Sequence, residues 1–481
     1  MPIDFNSGFM MTIGGKLVAG TESFSVVNPA TAEPIARAPN AGREQLDQAV
    51  DSARAAFAPW AAKSVSERQS TLRALAERLT ADIDGLSQLL TREQGKPLEA
   101  ARNEVLAAAY WCTEFSKLSV PVDTIEDSAT TLVQTRHVPL GVVGGIVPWN
   151  FPLVLAMWKV APALLAGNTL VLKPSPFTPL TTLKFGELVQ DVLPPGVLNV
   201  VSGDDRLGPW MSAHPGIDKI SFTGSTMTGR KVMQNAAGNL KRLTLELGGN
   251  DAAIVLPDVD VDALAPVLFW AAFANSSQFC LATKRLYLHE AIYQRMAEAL
   301  VSIGRSVKVG DGLAAGTQLG PVQNRLQYQR LIDLLEDSRS HGHRFLLGGE
   351  VPEGKGYFFP VTLVDNPPDD SRVVKEEPFG PILPLLKFST IDEAVARAND
   401  SEYGLGASVW AGDYRQGQAI AERLQAGSVW VNEIHTITPL KPMAGHKQSG
   451  VGVENGLMGL LQYTVPQTLS IKKADAAGAA R

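Results

Sequence analysis

"GVVGGIVPWNFPLVLAMWKVAPALLAG", residues 141–167, is the stretch that decides the fold. Residues 138–158 carry no charge, over about the length that a bilayer span needs. Glycines and prolines nevertheless interrupt the middle of the stretch, and exposed backbone of that kind is not tolerated in lipid. We therefore interpret 141–147 as a buried strand, PWNFP as a turn and the remainder as a helix packed on a sheet.

The same alternation of apolar strand and helix continues outward from this stretch. The predicted strands lie at 168–175, 197–203, 219–225, 243–249, 252–257, 285–290, 358–364, 380–388, 406–412 and 427–432. Alternation on this scale predicts an α/β fold built on parallel sheets that helices cover on both faces. Before it, helical periodicity dominates residues 44–118, where Ser64 and Glu67 form a capping box, and this predicts an all-helical opening.

Composition limits the classes of function. The 481 residues are 45% hydrophobic and 19% charged, which is typical of a globular protein with core for roughly three domains. A formal charge of −6 and no basic run exclude the field that nucleic acid or an anionic membrane surface requires. We expect neither nucleic acid nor a membrane as a partner.

Cysteine usage favours a reducing cytoplasm. Cys112 and Cys280, the two cysteines, lie far apart without a CxxC pattern, so we expect neither a disulfide framework nor a metal site. The first twenty residues lack a basic segment followed by an unbroken apolar one, so no signal peptide is predicted.

Parallel sheets bind ligands at the carboxyl ends of their strands, and several turns at those ends carry reactive or polar groups. FTGSTMTG (222–229) ends a strand and begins a helix at Gly224 and Ser225, where free N–H groups could hold a pyrophosphate. The alternative is an ordinary helix cap. Lys173, at another strand end, either contacts a ribose or phosphate or extends to solvent.

Two further turns carry candidate catalytic groups, each with an ordinary structural alternative. Glu246 in LELGGN lies between leucines, which should raise its pKa and suit a general base, while the glycines allow other backbone to approach. It could equally be a satisfied turn carboxylate. Asn150 in PWNFP sits in a rigid turn, as an oxyanion donor requires, or simply caps the following helix.

Cys280 poses the sharpest question. A free buried cysteine is ordinarily inert packing, as we expect of Cys112 in its apolar helix. Polar residues precede Cys280 in SSQFC, however, and a turn there could expose the sulfur.

These motifs together resemble the NAD(P)-dependent aldehyde dehydrogenase superfamily over nearly the whole chain. They follow the family's order: PWNFP, LKPSPFTP, FTGSTMTG, LELGGN, the Cys280 stretch, EEPFGP (376–381) and GHKQSG (445–450). Seven motifs in order are far more specific than any one of them. The resemblance implies a Rossmann-like cofactor domain (1–120 and 141–246) and a second α/β catalytic domain (247–463). It also implies a small β-element of bridging strands (121–140 and 464–473) that assembles a homodimer or homotetramer, with 474–481 as a flexible tail.

The resemblance also assigns roles to residues. Cys280 is the nucleophile on a small-molecule aldehyde, Asn150 holds the oxyanion and Glu246 activates the hydrolytic water. The cofactor is NAD, bound by Trp149, Lys173, Ser175, Gly203, Gly224, Ser225, Glu377 and Phe379. The aldehyde pocket consists of Phe151, Trp158, Trp270, Phe279, Leu281 and Ile437, which favour an aromatic or medium-chain aliphatic substrate.

Three positions depart from the family pattern. Pro176 replaces a glutamate that often repels a 2′-phosphate, so NADP is not excluded. Ser276 and Ser277 replace a glycine near the thiol, which reduces local backbone freedom. Leu457 stands where some relatives have a carboxylate, although Glu454 is retained.

Three other functions remain open from the sequence. A CoA-acylating enzyme would use CoA in place of water, and the intact Glu246 argues against it. A silent binding protein with this fold would not need Cys280, Glu246 and Asn150 together. A cofactor-free thiol hydrolase would not need the nucleotide motifs.

Overall fold

The computed structural model describes residues 3–473, so the predicted tail at 474–481 lies outside the described residues. The chain begins with strands, which corrects the expectation of an all-helical opening. They are β1 (Met11–Ile13), β2 (Lys16–Val18), β3 (Glu22–Asn28) and β4 (Glu33–Asn40). Two of them are only three residues long, too short for a period of two to appear in the sequence.

Four helices follow, as the periodicity predicted. They are α1 (Arg43–Ala61), α2 (Val65–Ala81), α3 (Ile83–Gln94) and α4 (Leu98–Phe115). Ser64 and Glu67 form the expected capping box at the start of α2. Gly95 ends α3 in the left-handed conformation with φ 97°.

The deciding stretch folds as strand, turn and helix. After β5 (Val122–Asp127) and β6 (Thr131–Pro139), the chain alternates regularly. The elements are β7 (Val142–Ile146), α5 (Pro152–Leu165), β8 (Thr169–Lys173), α6 (Leu180–Leu188), β9 (Leu198–Val200), α7 (Leu207–Ala213), β10 (Lys219–Thr223), α8 (Thr226–Ala236) and β11 (Arg242–Glu246). β7 and β8 are buried along their whole length, because helices cover both faces of the sheet.

The rest of the chain alternates in the same way. Its first elements are β12 (Asp251–Val255), α9 (Val261–Phe273), β13 (Thr283–His289), α10 (Glu290–Ser306), α11 (Arg325–Ser340), β14 (Arg344–Leu347), β15 (Thr362–Asp365), α12 (Arg372–Lys375), β16 (Ile382–Phe388) and α13 (Ile391–Asn399). The last are β17 (Tyr403–Gly404), β18 (Gly406–Trp410), α14 (Tyr414–Ala421), β19 (Ser428–Val431), β20 (His446–Lys447), β21 (Gly450–Val451), α15 (Gly456–Leu461) and β22 (Thr464–Lys472).

Two large sheets form the framework. One has the order β2-β1-β9-β8-β7-β10-β11-β21 and the other β14-β15-β16-β13-β12-β18-β19. The central strands of both are parallel. Antiparallel strands lie at both edges of the first sheet and at the β14 edge of the second, whereas β19 at its other edge is parallel. The architecture is the predicted α/β fold with two parallel-sheet units.

A third sheet stands apart from both, in the order β22-β6-β5. β22 pairs with β6 over nine residues, from Thr464 opposite Pro139 to Lys472 opposite Thr131. The two segments that the sequence predicted as bridging strands therefore pair with each other. Among residues 3–473, no helix combines the length and apolarity that crossing a bilayer needs.

Candidate active site

A cavity of about 140 Å³ opens where the carboxyl ends of the first sheet face the loops of the second. Predicted site residues that line it are Trp149, Asn150, Gly224, Ser225, Cys280, Glu377 and Phe379. Thr223, Leu155, Leu247, Gly248, Gln327 and Arg330 also line it, and the sequence interpretation did not assign them. Residues more than 200 positions apart in the chain thus share one wall.

Cys280 lies in the turn between α9 and β13, half-buried at the cavity wall. The approach to it is strained, because Asn275, Ser276 and Ser277 are all left-handed, with φ of 49°, 54° and 59°. Hydrogen bonds hold this backbone: Ser276 Oγ donates to the Gly320 carbonyl at 2.7 Å and Ser277 Oγ to the Ala272 carbonyl at 2.5 Å. The serines that depart from the family pattern therefore carry contacts that glycine could not make.

The charges around the thiol mostly oppose its ionisation. Burial raises the pKa of Cys280 to about 12, and the carboxylates of Asp251, Glu246 and Glu377 act in the same direction. The charge of Lys284 acts to lower that pKa. In the absence of ligands the thiol is therefore protonated at neutral pH.

Asn150 presents an unpaired amide to the site. Its Oδ1 is buried without a hydrogen-bond partner, and it does not cap α5, whose N-cap is Phe151 without a side-chain cap bond. The capping alternative is therefore wrong. The Asn150 carbonyl accepts from Lys96 Nζ at 3.0 Å and from Asn275 Nδ2 at 3.3 Å, which fixes the turn from both sides.

A buried ion pair supports that turn. Lys96 Nζ pairs with Glu104, and both side chains are 1% exposed or less. The other Glu104 oxygen accepts from the backbone N–H groups of Leu153, at 2.9 Å, and Val154, at 3.3 Å. Glu104 thus caps the start of α5, and the sequence analysis did not anticipate this.

Glu246 ends β11 beside the thiol region. Both of its carboxyl oxygens are buried without a hydrogen-bond partner, which excludes the alternative of a satisfied turn carboxylate. Burial raises the pKa of Glu246 well above its ordinary value, and Glu454 adds to the shift while Lys159 opposes it. The Gly224 N–H donates to the Glu246 carbonyl at 3.0 Å and so joins this strand end to the start of the FTGSTMTG turn.

Behind Glu246 lies a buried charged cluster. Glu454 pairs with Lys159, both fully buried, and accepts from Ser221 Oγ at 3.0 Å. Leu457 is 42% exposed, so the missing carboxylate at that position leaves this cluster intact.

The strand ends of the first sheet form the predicted nucleotide groove. Ser225 caps α8 by accepting from the Thr228 N–H at 3.3 Å, and the buried hydroxyl of Thr223 beside it has no partner. Lys173, Ser175 and Gly203 follow the neighbouring strands β8 and β9, away from the cavity. A helix N-terminus beside a polar group that lacks a hydrogen-bond partner fits a dinucleotide pyrophosphate.

The adenosine end of this groove is acidic. Burial lowers the pKa of Lys173 to about 8, and Asp205 and Asp204 oppose that shift, so both carboxylates face the lysine. Asp204 is fixed by Asn40 Nδ2 at 3.0 Å and by Arg206 Nη2 at 2.7 Å. Asp205 is exposed.

The opposite end combines a carboxylate with aromatic rings. Glu377 Oε1 accepts from the Gly249 N–H at 3.2 Å, and a Cβ at Gly248 would lie 2.3 Å from Glu377 Oε2. Gly248 therefore admits this side chain, whereas the close approach of other backbone that the sequence predicted occurs at Gly249, where a Cβ would lie 2.9 Å from the Cys280 carbonyl oxygen. Phe379 is held left-handed with φ 50° and meets Trp149 edge to face at 5.3 Å. The carboxylate and the rings can hold a ribose and a flat heterocycle.

The structure brings together only some of the residues that were predicted to line the aldehyde pocket. Phe279 contacts the Phe151 ring at 6.4 Å and the His435 ring at 5.1 Å, and it packs in the same cluster as Ile437. Leu281 is buried and points towards Gly406, while Trp158 is 7% exposed and stacks on Trp111. Trp270 lies on α9, is 36% exposed and contacts Phe269 of another cluster.

Sequence reasoning missed Asp251, Lys284, Lys96 and Glu104 because each acts through residues distant in the chain. A signal existed for two of them, since a charged residue within an apolar strand pattern, as in NDAAIVL and TKRLYL, needs a buried partner. No group of three or more potential ligands for a metal occurs among residues 3–473.

Comparison with known proteins agrees with this geometry. The family model described as "Aldehyde dehydrogenase family" matches residues 17–469. A probable aldehyde dehydrogenase of Pseudomonas sp is 42% identical over 467 residues, covering 97% of this chain and 95% of the relative. The NAD⁺ complex of an aldehyde dehydrogenase from Bacillus cereus has a TM-score of 0.95 at 36% identity, covering 97% of both chains. An NADP-dependent enzyme of E. coli has a TM-score of 0.94 at 34% identity, covering 97% of this chain and 98% of the other.

Proposed function

The chain belongs to the aldehyde dehydrogenase family, and from that premise we propose that it oxidises an aldehyde to the carboxylic acid through a covalent intermediate on Cys280. The observation that carries the proposal is the shared cavity wall of Asn150, Cys280 and Glu377, with an unpaired Glu246 close to the thiol. A nucleophile, an amide donor and a base close together are what acyl chemistry requires.

In the first step the Cys280 thiol loses its proton to solvent water, and the sulfur anion bonds to the aldehyde carbon. The carbonyl oxygen becomes an oxyanion, and the Asn150 amide together with the Cys280 backbone N–H donates to it. Removing one oxyanion donor typically lowers a rate by about 10²–10³.

In the second step the carbon–hydrogen bond breaks and a thioester remains on Cys280. When bound, NAD supplies a positively charged ring that accepts the hydride. Lys173 and Ser175 would hold its adenosine ribose, Ser225 and the start of α8 its pyrophosphate, and Glu377, Phe379 and Trp149 its nicotinamide end.

In the third step Glu246 takes a proton from water, which attacks the thioester carbon and releases the carboxylic acid and the Cys280 thiolate. The raised pKa of Glu246 suits this role, because an ionised carboxylate with a raised pKa is a stronger base than an ordinary one. The intact Glu246 favours water over CoA as the acceptor, and product analysis with and without CoA separates the two.

The substrate class follows from the rings beside the thiol. Phe151, Phe279 and Ile437 form an apolar approach, and burial lowers the pKa of His435 to about 4, so this histidine is uncharged at neutral pH. We assign an aromatic or medium-chain aliphatic aldehyde. kcat/KM should rise along a series of increasingly apolar aldehydes, and a fall along that series would overturn the assignment.

Cys280→Ser tests the nucleophile. We expect NADH formation to fall by at least about a thousandfold, because a serine hydroxyl is a far weaker nucleophile without a strong base. NAD binding, measured by fluorescence quenching, should persist. Cys112→Ser is the matched control, since that buried thiol lies in α4, and it should keep its activity. Retained activity in Cys280→Ser would refute the mechanism.

Glu246→Gln tests the third step separately. The thioester should form but hydrolyse slowly, so intact mass spectrometry after mixing with aldehyde and NAD should show the protein plus an acyl group. A variant that is slow yet shows no adduct would remove Glu246 from the role of base.

A further inference from the structure

Lys284 is a buried lysine that the reaction steps above do not use. It is the second residue of β13, and its side chain is 1% exposed. Its Nζ donates to the Cys280 carbonyl at 2.5 Å and lies 3.0 Å from Glu377 Oε1. One ammonium group therefore touches both the nucleophile's own backbone and the carboxylate at the nicotinamide end.

The surroundings of both contacts leave little freedom. The Cys280 carbonyl lies against Gly249, where a Cβ would stand 2.9 Å from it, and the Gly249 N–H donates to Glu377 at 3.2 Å. The next carbonyl, that of Leu281, accepts from His435 Nε2 at 2.7 Å. Lys284, Gly249 and His435 thus contact the carbonyl groups of Cys280 and Leu281 and restrict the movement of this backbone.

The charges facing the thiol are unbalanced without this lysine. Three carboxylates face the thiol from separate elements: Asp251 from β12, Glu246 from β11 and Glu377 from the loop before β16. Lys284 is a cation that lowers the pKa of the thiol against these carboxylates, and His435, which donates to the Leu281 carbonyl, is neutral. Burying a charged amine is costly unless its partners are placed for it.

We infer that Lys284 is a positioning residue that fixes the Cys280 backbone relative to Glu377 and supplies the positive charge that makes the thiol reactive. The inference rests on the proposed function, in which Cys280 attacks and Glu377 holds the cofactor. One side chain would thus set the distance between Cys280 and Glu377 and also the balance of charges around the thiol.

The charge of Lys284 predicts that two substitutions shift the pKa of Cys280 in opposite directions. Lys284→Met removes the cation and leaves three carboxylates, so the pKa of Cys280 should rise further. Glu377→Gln removes a carboxylate and leaves the cation, so that pKa should fall. At a pH below its pKa a thiol reacts in proportion to its ionised fraction, so the alkylation rate follows the acid dissociation constant of Cys280 directly.

The experiment measures alkylation of Cys280 by iodoacetamide in the cofactor-free enzyme, followed by mass spectrometry of the peptide that contains Cys280. We expect Lys284→Met to react about tenfold more slowly, from about pH 7 to about pH 9, and Glu377→Gln to react several-fold faster. Lys284→Arg should restore at least a third of the wild-type rate, because it keeps the charge.

Lys184→Met is the matched control. Lys184 is also buried and also binds one carbonyl, that of Gly8 at 3.3 Å, and one carboxylate, that of Glu187 at 2.8 Å, but it lies on α6. Its loss should leave Cys280 alkylation unchanged. An equal loss of rate in Lys184→Met and Lys284→Met would mean general loosening and would overturn the inference.

The spacing part is read from NAD binding by fluorescence quenching. Lys284→Met should weaken NAD binding by about tenfold, with a matching rise in KM for NAD and a much smaller change in KM for the aldehyde. If Lys284→Met does not fold, the sign of the Glu377→Gln effect decides: faster alkylation supports the inference, and an unchanged or slower rate overturns it.

These readouts do not depend on the reaction mechanism. Alkylation and NAD binding report on Cys280 and Glu377 whether or not the thiol attacks an aldehyde. Cys280→Ser retaining oxidation would end the proposed function, whereas unchanged alkylation in Lys284→Met would end the inference alone.

Discussion

Individual residues at this site are held at a cost in free energy. Cys280 and Glu246 are both desolvated, and burial raises the pKa of each, while Glu246 has no hydrogen-bond partner. Three consecutive residues before the thiol are left-handed, a conformation that costs about 1–3 kcal/mol for each non-glycine residue. Buried polar groups without hydrogen-bond partners, together with backbone strain, are typical of residues with a catalytic role.

At the same scale, Asp205 should help to select the cofactor. Asp204 and Asp205 act on the pKa of Lys173, the residue proposed to bind the adenosine ribose, and their negative charge would repel a 2′-phosphate there, as the glutamate that Pro176 replaces would. We expect the enzyme to prefer NAD. In Asp205→Asn the dissociation constant for NADP should fall relative to that for NAD by about five- to tenfold.

Titration of nucleotide fluorescence quenching measures both constants. Asp333→Asn on α11, an exposed aspartate far along the chain, is the control and should leave the ratio unchanged. Tighter binding of NADP than of NAD by the unaltered enzyme would contradict this prediction.

Among the elements, the junction of α4 and α5 determines where Asn150 stands. Glu104 of α4 accepts from the first N–H groups of α5, and Lys96 holds the Asn150 carbonyl. The buried pair contributes little net stability by itself, but removing one partner leaves an uncompensated charge. The turn is therefore as rigid as the pair that supports it.

Glu104→Leu should lower the free energy of unfolding by about 3–5 kcal/mol, because it leaves Lys96 buried without its partner. The double variant Lys96→Met, Glu104→Leu should recover part of the lost free energy of unfolding. Its kcat should still be lower than that of the unaltered enzyme, because the Asn150 carbonyl has lost its hydrogen bond from Lys96. Thermal unfolding followed by circular dichroism measures the first effect. Arg295→Met, which breaks an exposed pair with Asp262, should change little. Equal stability of the single and double variants would contradict this prediction.

For the molecule as a whole, the sheet β22-β6-β5 is the clearest surface for self-association. β5 is an edge strand exposed along its whole length, and its two large apolar residues, Ile125 and Val122, are 68% and 58% exposed. Edge strands of this kind pair readily with another chain. The proposed cofactor-binding (1–120, 141–246) and catalytic (247–463) units both connect to this sheet through the chain.

We therefore expect a homodimer or homotetramer in light scattering. Ile125→Lys should shift the measured mass towards smaller species by placing a charge on the edge strand. Leu326→Lys, at a residue 74% exposed on α11, is the control and should leave the mass unchanged. A stable monomer of the unaltered protein would rule out this assembly.

The sequence by itself determined the features that are encoded within a few residues. Strand–turn–helix alternation and the capping box at Ser64 follow from local periodicity, and they predicted the fold class. The family was predicted from the resemblance of the motifs and their order, and the family model confirms it. The short strands β1 and β2 escaped, because their place is decided by pairing with β9, nearly 200 residues away. Likewise only the tertiary structure brought Lys284 to Glu377 and Lys96 to Asn150. Contacts between distant residues depend on how whole elements pack, and no local pattern records that packing.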